Sequence, residues 1–220
     1  MTTIAAIVPM RHNSERVSGK NYRPLAGKPL FHHILETLQA VPEIDQIIVD
    51  TDSPTIKSSL DQDFPQVTYL ERPEHLRSGE TPMNDVLLNT TSQVEADWYL
   101  QTHSTNPLLK TASVSNAIQS LLANIPAYDS LFGVTRLQTR LWDGLARPVN
   151  HNPAILLRTQ DLPPIFEENS CIYIFQRETL IQHRNRLGSR PLMFEIDAAE
   201  AQDIDAELDF KIAEFLKREQ

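Results

Sequence analysis

The chain has one cysteine, Cys171, in 220 residues. An intrachain disulfide is therefore impossible. Its apolar setting, CIYIF over residues 171–175, points to a buried, inert thiol rather than a nucleophile. Basic residues are in deficit: 20 Lys and Arg face 29 Asp and Glu, for a formal net charge of −9. Nucleic-acid binding usually needs a basic face, so no nucleic-acid partner is expected. No apolar run approaches the length of a membrane span, and the N-terminal segment has neither a basic n-region nor a long apolar h-region. The expectation is a cytoplasmic protein with no membrane partner. Repeats and low-complexity stretches are also lacking, which argues against solenoids and long linkers. Neither common phosphate fingerprint, G-x-G-x-x-G or G-x-x-x-x-G-K-[ST], is present.

What is present is organised around residues 4–30. A short apolar run, IAAIV over 4–8, leads into a polar, basic loop holding Arg11, Asn13, Ser14, Arg16 and Lys20. Helical spacing of Leu30, Ile34, Leu35 and Leu38 predicts a helix over 29–41, ended by Pro42. Strand, cationic loop and helix is how an α/β protein presents a site at the end of its first strand. Positive charge beside hydroxyl and amide donors suits a polyphosphate. The same residues suit a solvated surface loop equally well. His32 and His33 are adjacent, point in different directions on a helix, and read as surface or partly packed residues rather than a metal pair.

The remaining pattern predicts one α/β domain over 1–220. Strands are expected at 46–50, 67–70, 98–103, 130–134, 167–175 and 191–194. Helices are expected at 82–94, 111–124 and 177–184, and again after Ser53-Pro54, where a cap residue precedes proline. Asp50 and Asp52 read as a solvated turn, and Arg72 before Pro73 as a surface arginine. A C-terminal helix should bury Leu208, Ile212, Phe215 and Leu216. Residues 136–168 are proline-rich and carry Trp142 and the apolar run 154–157, too long an excursion for a simple loop. Exposed apolar residues on such an arm need a partner surface, so dimerisation is expected. Asp203 and Asp205 lie two apart in an extended segment, so their carboxylates face one side and suit Mg²⁺. Alternatively, or in addition, Asp205 caps the last helix.

Several of these segments together resemble a known family. VPMRHNSERVSGKN, residues 8–21, is similar to the signature of the acylneuraminate cytidylyltransferases (CMP-N-acetylneuraminic acid synthetases). There an apolar strand runs into a small-residue-Arg-x-x-Ser-Lys-x-(Ile/Leu)-Pro-x-Lys-Asn loop. Arg11, Ser14, Lys20 and Asn21 fall on matching positions. Glu15 stands where the family usually has Lys, Ser18 where it has Pro, and Arg16 offers the missing charge one residue displaced. The resemblance continues in order at 50–52, 72–73, 101–108, 169–174 and 203–209. QTHSTNPL at 101–108 is similar to the family's Leu-Gln-Pro-Thr-Ser-Pro-Leu turn; Gln101 matches, whereas His103, Ser104 and Asn106 depart from it. Asn169 and Tyr173 match the Asn-Gly-Ala-Ile-Tyr strand, but Glu167 and Glu168 replace its usual basic or neutral leading residues. DIDAELD at 203–209 is nearly the family's C-terminal signature.

The resemblance implies a Rossmann-like mixed, mostly parallel sheet with helices on both faces. Residues 136–168 would form a dimerisation arm that covers the sugar site of a homodimer. The implied reaction transfers CMP from CTP to the anomeric hydroxyl of a 2-keto sugar acid, with release of pyrophosphate and dependence on Mg²⁺. In that reading Asp203 and Asp205 hold the metal, and Arg11 and Lys20 neutralise the leaving pyrophosphate. Ser14, Asn21 and Arg72 bind the nucleotide. Gln101, Asn169 and Tyr173 bind the sugar. A hydroxide on the metal and His103 are the two options for the base. The substrate is sialic acid or a related nonulosonate; 3-deoxy-manno-octulosonate is the alternative, as is a catalytically reduced nucleotide-binding paralogue.

Overall fold

The computed structural model describes residues 2–13, 17 and 19–219. Strand β1 (Ile4–Met10) is buried along its whole length. A parallel strand covered on both faces has no solvent side, which is why IAAIVPM does not alternate with polar residues. A hairpin follows, β2 (Pro24–Leu25) and β3 (Lys28–Pro29), then helix α1 (Leu30–Gln39), β4 (Gln46–Thr51), α2 (Pro54–Asp63) and β5 (Thr68–Glu71). Next come α3 (Met83–Thr91), β6 (Trp98–Gln101), α4 (Thr111–Leu122) and β7 (Ser130–Leu137). The chain closes with β8 (Ile165–Phe175), α5 (Arg177–His183), β9 (Pro191–Glu195) and α6 (Glu207–Arg218).

Seven strands form one sheet in the order β5-β4-β1-β6-β8-β7-β9. Parallel pairs join β1 to β4 and β6, β4 to β5, and β7 to β9. Strand β8 runs antiparallel between β6 and β7. The expected mixed, mostly parallel sheet is what forms. One face packs on α1, α2 and α4 through Phe31, Ile34, Leu60, Val114 and Ile118. The other packs on α3 and α5 through Leu87 and Leu180, against Ile7, Tyr99 and Phe175. Cys171 is fully buried as expected, and burial pushes its thiol up to about 12, so it stays protonated and unreactive at neutral pH.

Three expectations need correction. The stripe foreseen on α6 faces the wrong way: Leu208 is 66% and Phe215 65% exposed, while Phe210 and Ala213 are buried. The helix docks by a narrow edge on Leu25 and Leu30 of the hairpin region, with the Arg23 guanidinium 4.1 Å from the Phe210 ring centre. Nor does Asp205 cap that helix. The Asp209 carboxylate accepts from the backbone N–H groups of Asp205 (3.0 Å) and Ala206 (2.8 Å). His33 is buried rather than on the surface, and its Nε2 bonds the Leu25 carbonyl at 2.9 Å, tying α1 to the hairpin.

Strands β7 and β8 pair out to Leu137 and Ile165, beyond the strand ends that the sequence suggested. The ribbon they make carries the excursion over 138–164. Asn150 braces it, accepting from Leu141 N–H at 2.9 Å and donating to the Thr139 carbonyl at 2.7 Å. Trp142, Leu145 and Leu156 remain exposed there, Leu156 at 88%. Among the described residues no helix is long and apolar enough to cross a membrane.

Candidate active site

The chain leaves β1 for β4 on one side of the sheet and later returns to place β6 on the other. The loops after β1 and β6 therefore diverge at their carboxyl ends, the position where open α/β sheets bind ligands. A cavity of about 530 Å³ opens there. Arg11, Lys20, Asn21, Arg72, Asp203 and Asp205 all line it, together with His103 and Ser104 from the loop after β6. Six residues singled out from three separate stretches of sequence thus meet in one place. Ser14 lies outside the described residues, as do Glu15, Arg16 and Ser18.

Lys20 owes its position to Gly19. That glycine adopts φ 62°, and a Cβ there would come 2.8 Å from the Tyr22 ring, so a side chain is both strained and obstructed. Lys20 Nζ then donates to the Ile204 carbonyl at 2.6 Å and sits 3.6 Å from Asp205 Oδ1. Asn21 donates to the Arg11 carbonyl at 2.8 Å and accepts from Ser104 Oγ at 2.7 Å. It bridges the two loops at the switch point.

Asp50 and Arg72 were expected in a solvated turn and at the surface. Both are buried, Arg72 to 2% exposure. Arg72 Nε donates to Asp50 Oδ1 at 2.6 Å, and its Nη2 to the Asp50 carbonyl at 3.1 Å. Thr90 supplies the other carboxylate oxygen with a hydrogen bond of 2.7 Å. Asp52 accepts from the His12 backbone N–H at 2.7 Å.

The aspartate pair is electrostatically unfavourable as it stands. Asp203 Oδ1 is sealed from solvent and has no hydrogen-bond partner among the described residues. Burial raises the Asp203 pKa above its ordinary value; Asp205 nearby adds to the rise, while a hydrogen bond from Thr105 opposes it. An orphaned carboxylate oxygen beside a second carboxylate is what a hard cation would relieve. Among the described residues no third His, Cys, Asp or Glu joins the two, so water and phosphate oxygens would complete the shell.

Gln101, Asn169 and Tyr173 do not line this cavity. Gln101 is buried behind His103, held between Arg186 and the histidine ring. Asn169 accepts from Cys171 N–H at 3.1 Å and donates to Thr135 Oγ1 at 3.0 Å. Tyr173 is buried, donates its hydroxyl to Glu168 and lies under the Arg186 guanidinium at 3.5 Å. Glu168, which stands where the resembling family has a basic or neutral residue, is thus engaged by a tyrosine. Arg186 escaped the sequence reading because a lone arginine after a short helix carries no local signal.

His103 is half-buried. Burial, with Arg186 and Lys20 adding to it, pushes its pKa from 6.5 down to about 4. The folded state therefore holds this proton less tightly than the unfolded chain does. The contribution to stability is full above pH 6.5 and is lost as pH falls towards 4, amounting to about 3 kcal/mol in total. His103→Gln should flatten that part of the curve in urea titrations between these two pH values. An unchanged acid slope would show that His103 titrates normally.

A family model described as cytidylyltransferase matches residues 5–219. The chain belongs to the cytidylyltransferase family. Membership makes it a nucleotidyltransferase, as the resemblance implied. This cytidylyltransferase is 26% identical over 231 residues to the CMP-N,N'-diacetyllegionaminic acid synthase of Campylobacter jejuni, covering 98% of the chain and 95% of that protein. It is 25% identical over 218 residues to N-acylneuraminate cytidylyltransferase A of Danio rerio, covering 96% of the chain and 50% of the fish protein. A solved CMP:2-keto-3-deoxy-manno-octonic acid synthetase complexed with CTP superposes with a TM-score of 0.74 at 17% identity, over 99% of both chains. At that identity the likeness speaks for the fold.

Proposed function

We propose that this cytidylyltransferase transfers CMP from CTP to the anomeric hydroxyl of a 2-keto sugar acid of the nonulosonate type, releasing pyrophosphate with the aid of Mg²⁺. The observation that carries the reading is the meeting of Lys20 and Arg11 with the Asp203–Asp205 pair around one cavity at the switch point. A relative matched over 98% of the chain is named for a CMP-nonulosonate product, which supports the nonulosonate class. The attacking hydroxyl forms a bond to the α-phosphorus as the bond to pyrophosphate breaks, and the protein's task is chiefly positioning and charge stabilisation. Lys20 and Arg11 offset the negative charge that gathers on pyrophosphate. Asn21 and Ser104 hold the two loops at a fixed separation, and Arg72, which lines the same cavity, would meet the nucleotide. Asp203 and Asp205 would hold Mg²⁺, which when bound supplies positive charge to the phosphate oxygens.

The test is pyrophosphate release with CTP and Mg²⁺ against a panel of keto sugar acids, including 3-deoxy-manno-octulosonate, with UTP and ATP as controls. Release with a nonulosonate and CTP alone is the expected result. Release only with 3-deoxy-manno-octulosonate would replace the substrate class. Silence across the panel in a protein that binds CTP would favour a catalytically reduced relative.

The same reading includes a cytoplasmic homodimer joined through the excursion over 138–164. Trp142, Leu145 and Leu156 give that arm an apolar surface of the kind that needs a partner. Sedimentation velocity should show a dimer for the wild type and a monomer for Leu156→Glu; a wild-type monomer at micromolar concentration would remove the arm from this role.

A further inference from the structure

Behind the cavity wall lies a hydrogen-bonded chain whose direction is fixed by donor chemistry. Arg186 Nη1 is 2.6 Å from Gln101 Oε1, and Gln101 Nε2 is 2.8 Å from His103 Nε2. A guanidinium only donates, so the Gln101 oxygen must face Arg186. The Gln101 amide nitrogen then faces the imidazole, and it too only donates. His103 Nε2 must therefore offer its lone pair, which places the ring proton on Nδ1. Nδ1 makes no hydrogen bond among the described residues, and the ring lines the cavity beside Ser104 and Thr105. The chain is anchored at its far end. The Arg186 guanidinium stacks on Tyr173, and the Tyr173 hydroxyl is held by Glu168 and lies 3.2 Å from the hydroxyl of Ser170, which also lines the cavity.

We propose that Arg186 and Gln101 lock His103 as a fixed N–H donor for the carboxylate of the sugar acid, so that His103 selects the second substrate and does not take its proton. The inference rests on the sugar-acid reading above. Its basic nitrogen is occupied by Gln101, so His103 is unsuited to act as the base. A neutral N–H donor backed by the Arg186 charge suits an anionic acceptor, and a hydrogen bond to a charged group is stronger than one to a neutral group. Arg186 acts through Gln101 and is a positioning residue.

Two measurements test this. In protein labelled with ¹⁵N-histidine, the His103 ring should show a protonated Nδ1 and an unprotonated Nε2, the reverse of the tautomer favoured by imidazole side chains in water. Arg186→Met should release that preference in a protein that still folds. In steady-state kinetics His103→Phe should raise the KM for the sugar acid roughly 10- to 100-fold, with the KM for CTP within about twofold of wild type. His103→Asn, which keeps an N–H donor, should recover most of the loss. An Nε2-protonated ring, or an unchanged sugar KM in His103→Phe, overturns the proposal. If the wild type transfers CMP to no sugar acid, the functional reading fails and the carboxylate role fails with it. The tautomer still decides whether the lock exists.

Discussion

Asp205→Asn is expected to lower kcat with CTP and Mg²⁺ by roughly 100-fold or more, with no loss of fold. Its carboxylate lies 3.6 Å from Lys20 Nζ and its side chain is 43% exposed, so it contributes little to packing. Its neighbour has the opposite balance. Asp203 is held in a site that disfavours its charge, with one oxygen unpaired among the described residues. A carboxyl with a raised folded pKa favours folding while it is protonated, and that contribution is lost as pH rises through the folded pKa. At neutral pH the ionised group therefore costs stability in metal-free protein. Asp203→Asn should accordingly raise the melting temperature of the metal-free protein by a few degrees, and Mg²⁺, which is expected to stabilise the wild type, should no longer do so in the variant. Unchanged turnover in folded Asp205→Asn, or Mg²⁺ stabilisation that survives Asp203→Asn, would remove the pair from metal binding.

The second large effect is structural. Asp50→Ala should destabilise the protein by about 3–5 kcal/mol, because it leaves the buried Arg72 charge without its partner. A midpoint lowered by about 10 °C in thermal unfolding is the corresponding reading. The alanine also removes the carboxylate that accepts from the Thr90 hydroxyl at 2.7 Å, leaving that hydroxyl the Val86 carbonyl at 3.1 Å. Replacing the pair together, Asp50→Leu with Arg72→Met, should restore much of the stability, since apolar residues of similar volume avoid the desolvation cost. Use of CTP should not recover in the double variant if Arg72 also faces the nucleotide. Full recovery of both would make the pair purely structural, and a stable Asp50→Ala would show that water reaches Arg72.

Much of the frame was legible because local pattern and packing agree. The apolar run at 4–8, the spacing of Leu30, Ile34, Leu35 and Leu38, and the Ser53-Pro54 helix start all became the expected elements. α6 was misread for a physical reason. Helical periodicity shows that a helix is amphipathic, but the hairpin it meets offers room only for Phe210 and Ala213. Arg72 was misread because a lone arginine before a proline looks the same whether or not an aspartate waits behind it.

By itself the sequence determined the order of strands and helices apart from the β2–β3 hairpin, the inert cysteine, the cationic first loop and the paired aspartates near the C-terminus. Each depends on residues close together in the chain, where periodicity, caps and charge can be read directly. Tertiary structure decided which of these residues meet. Lys20 reaches the Ile204 carbonyl across 184 residues, and Arg186 reaches Gln101 across 85. Such pairings follow from strand order and from which loops share the switch point, and no local pattern encodes them. The same packing decided that Gln101 and Tyr173 stand behind the cavity wall, where burial makes them supports for the His103 ring that lines it.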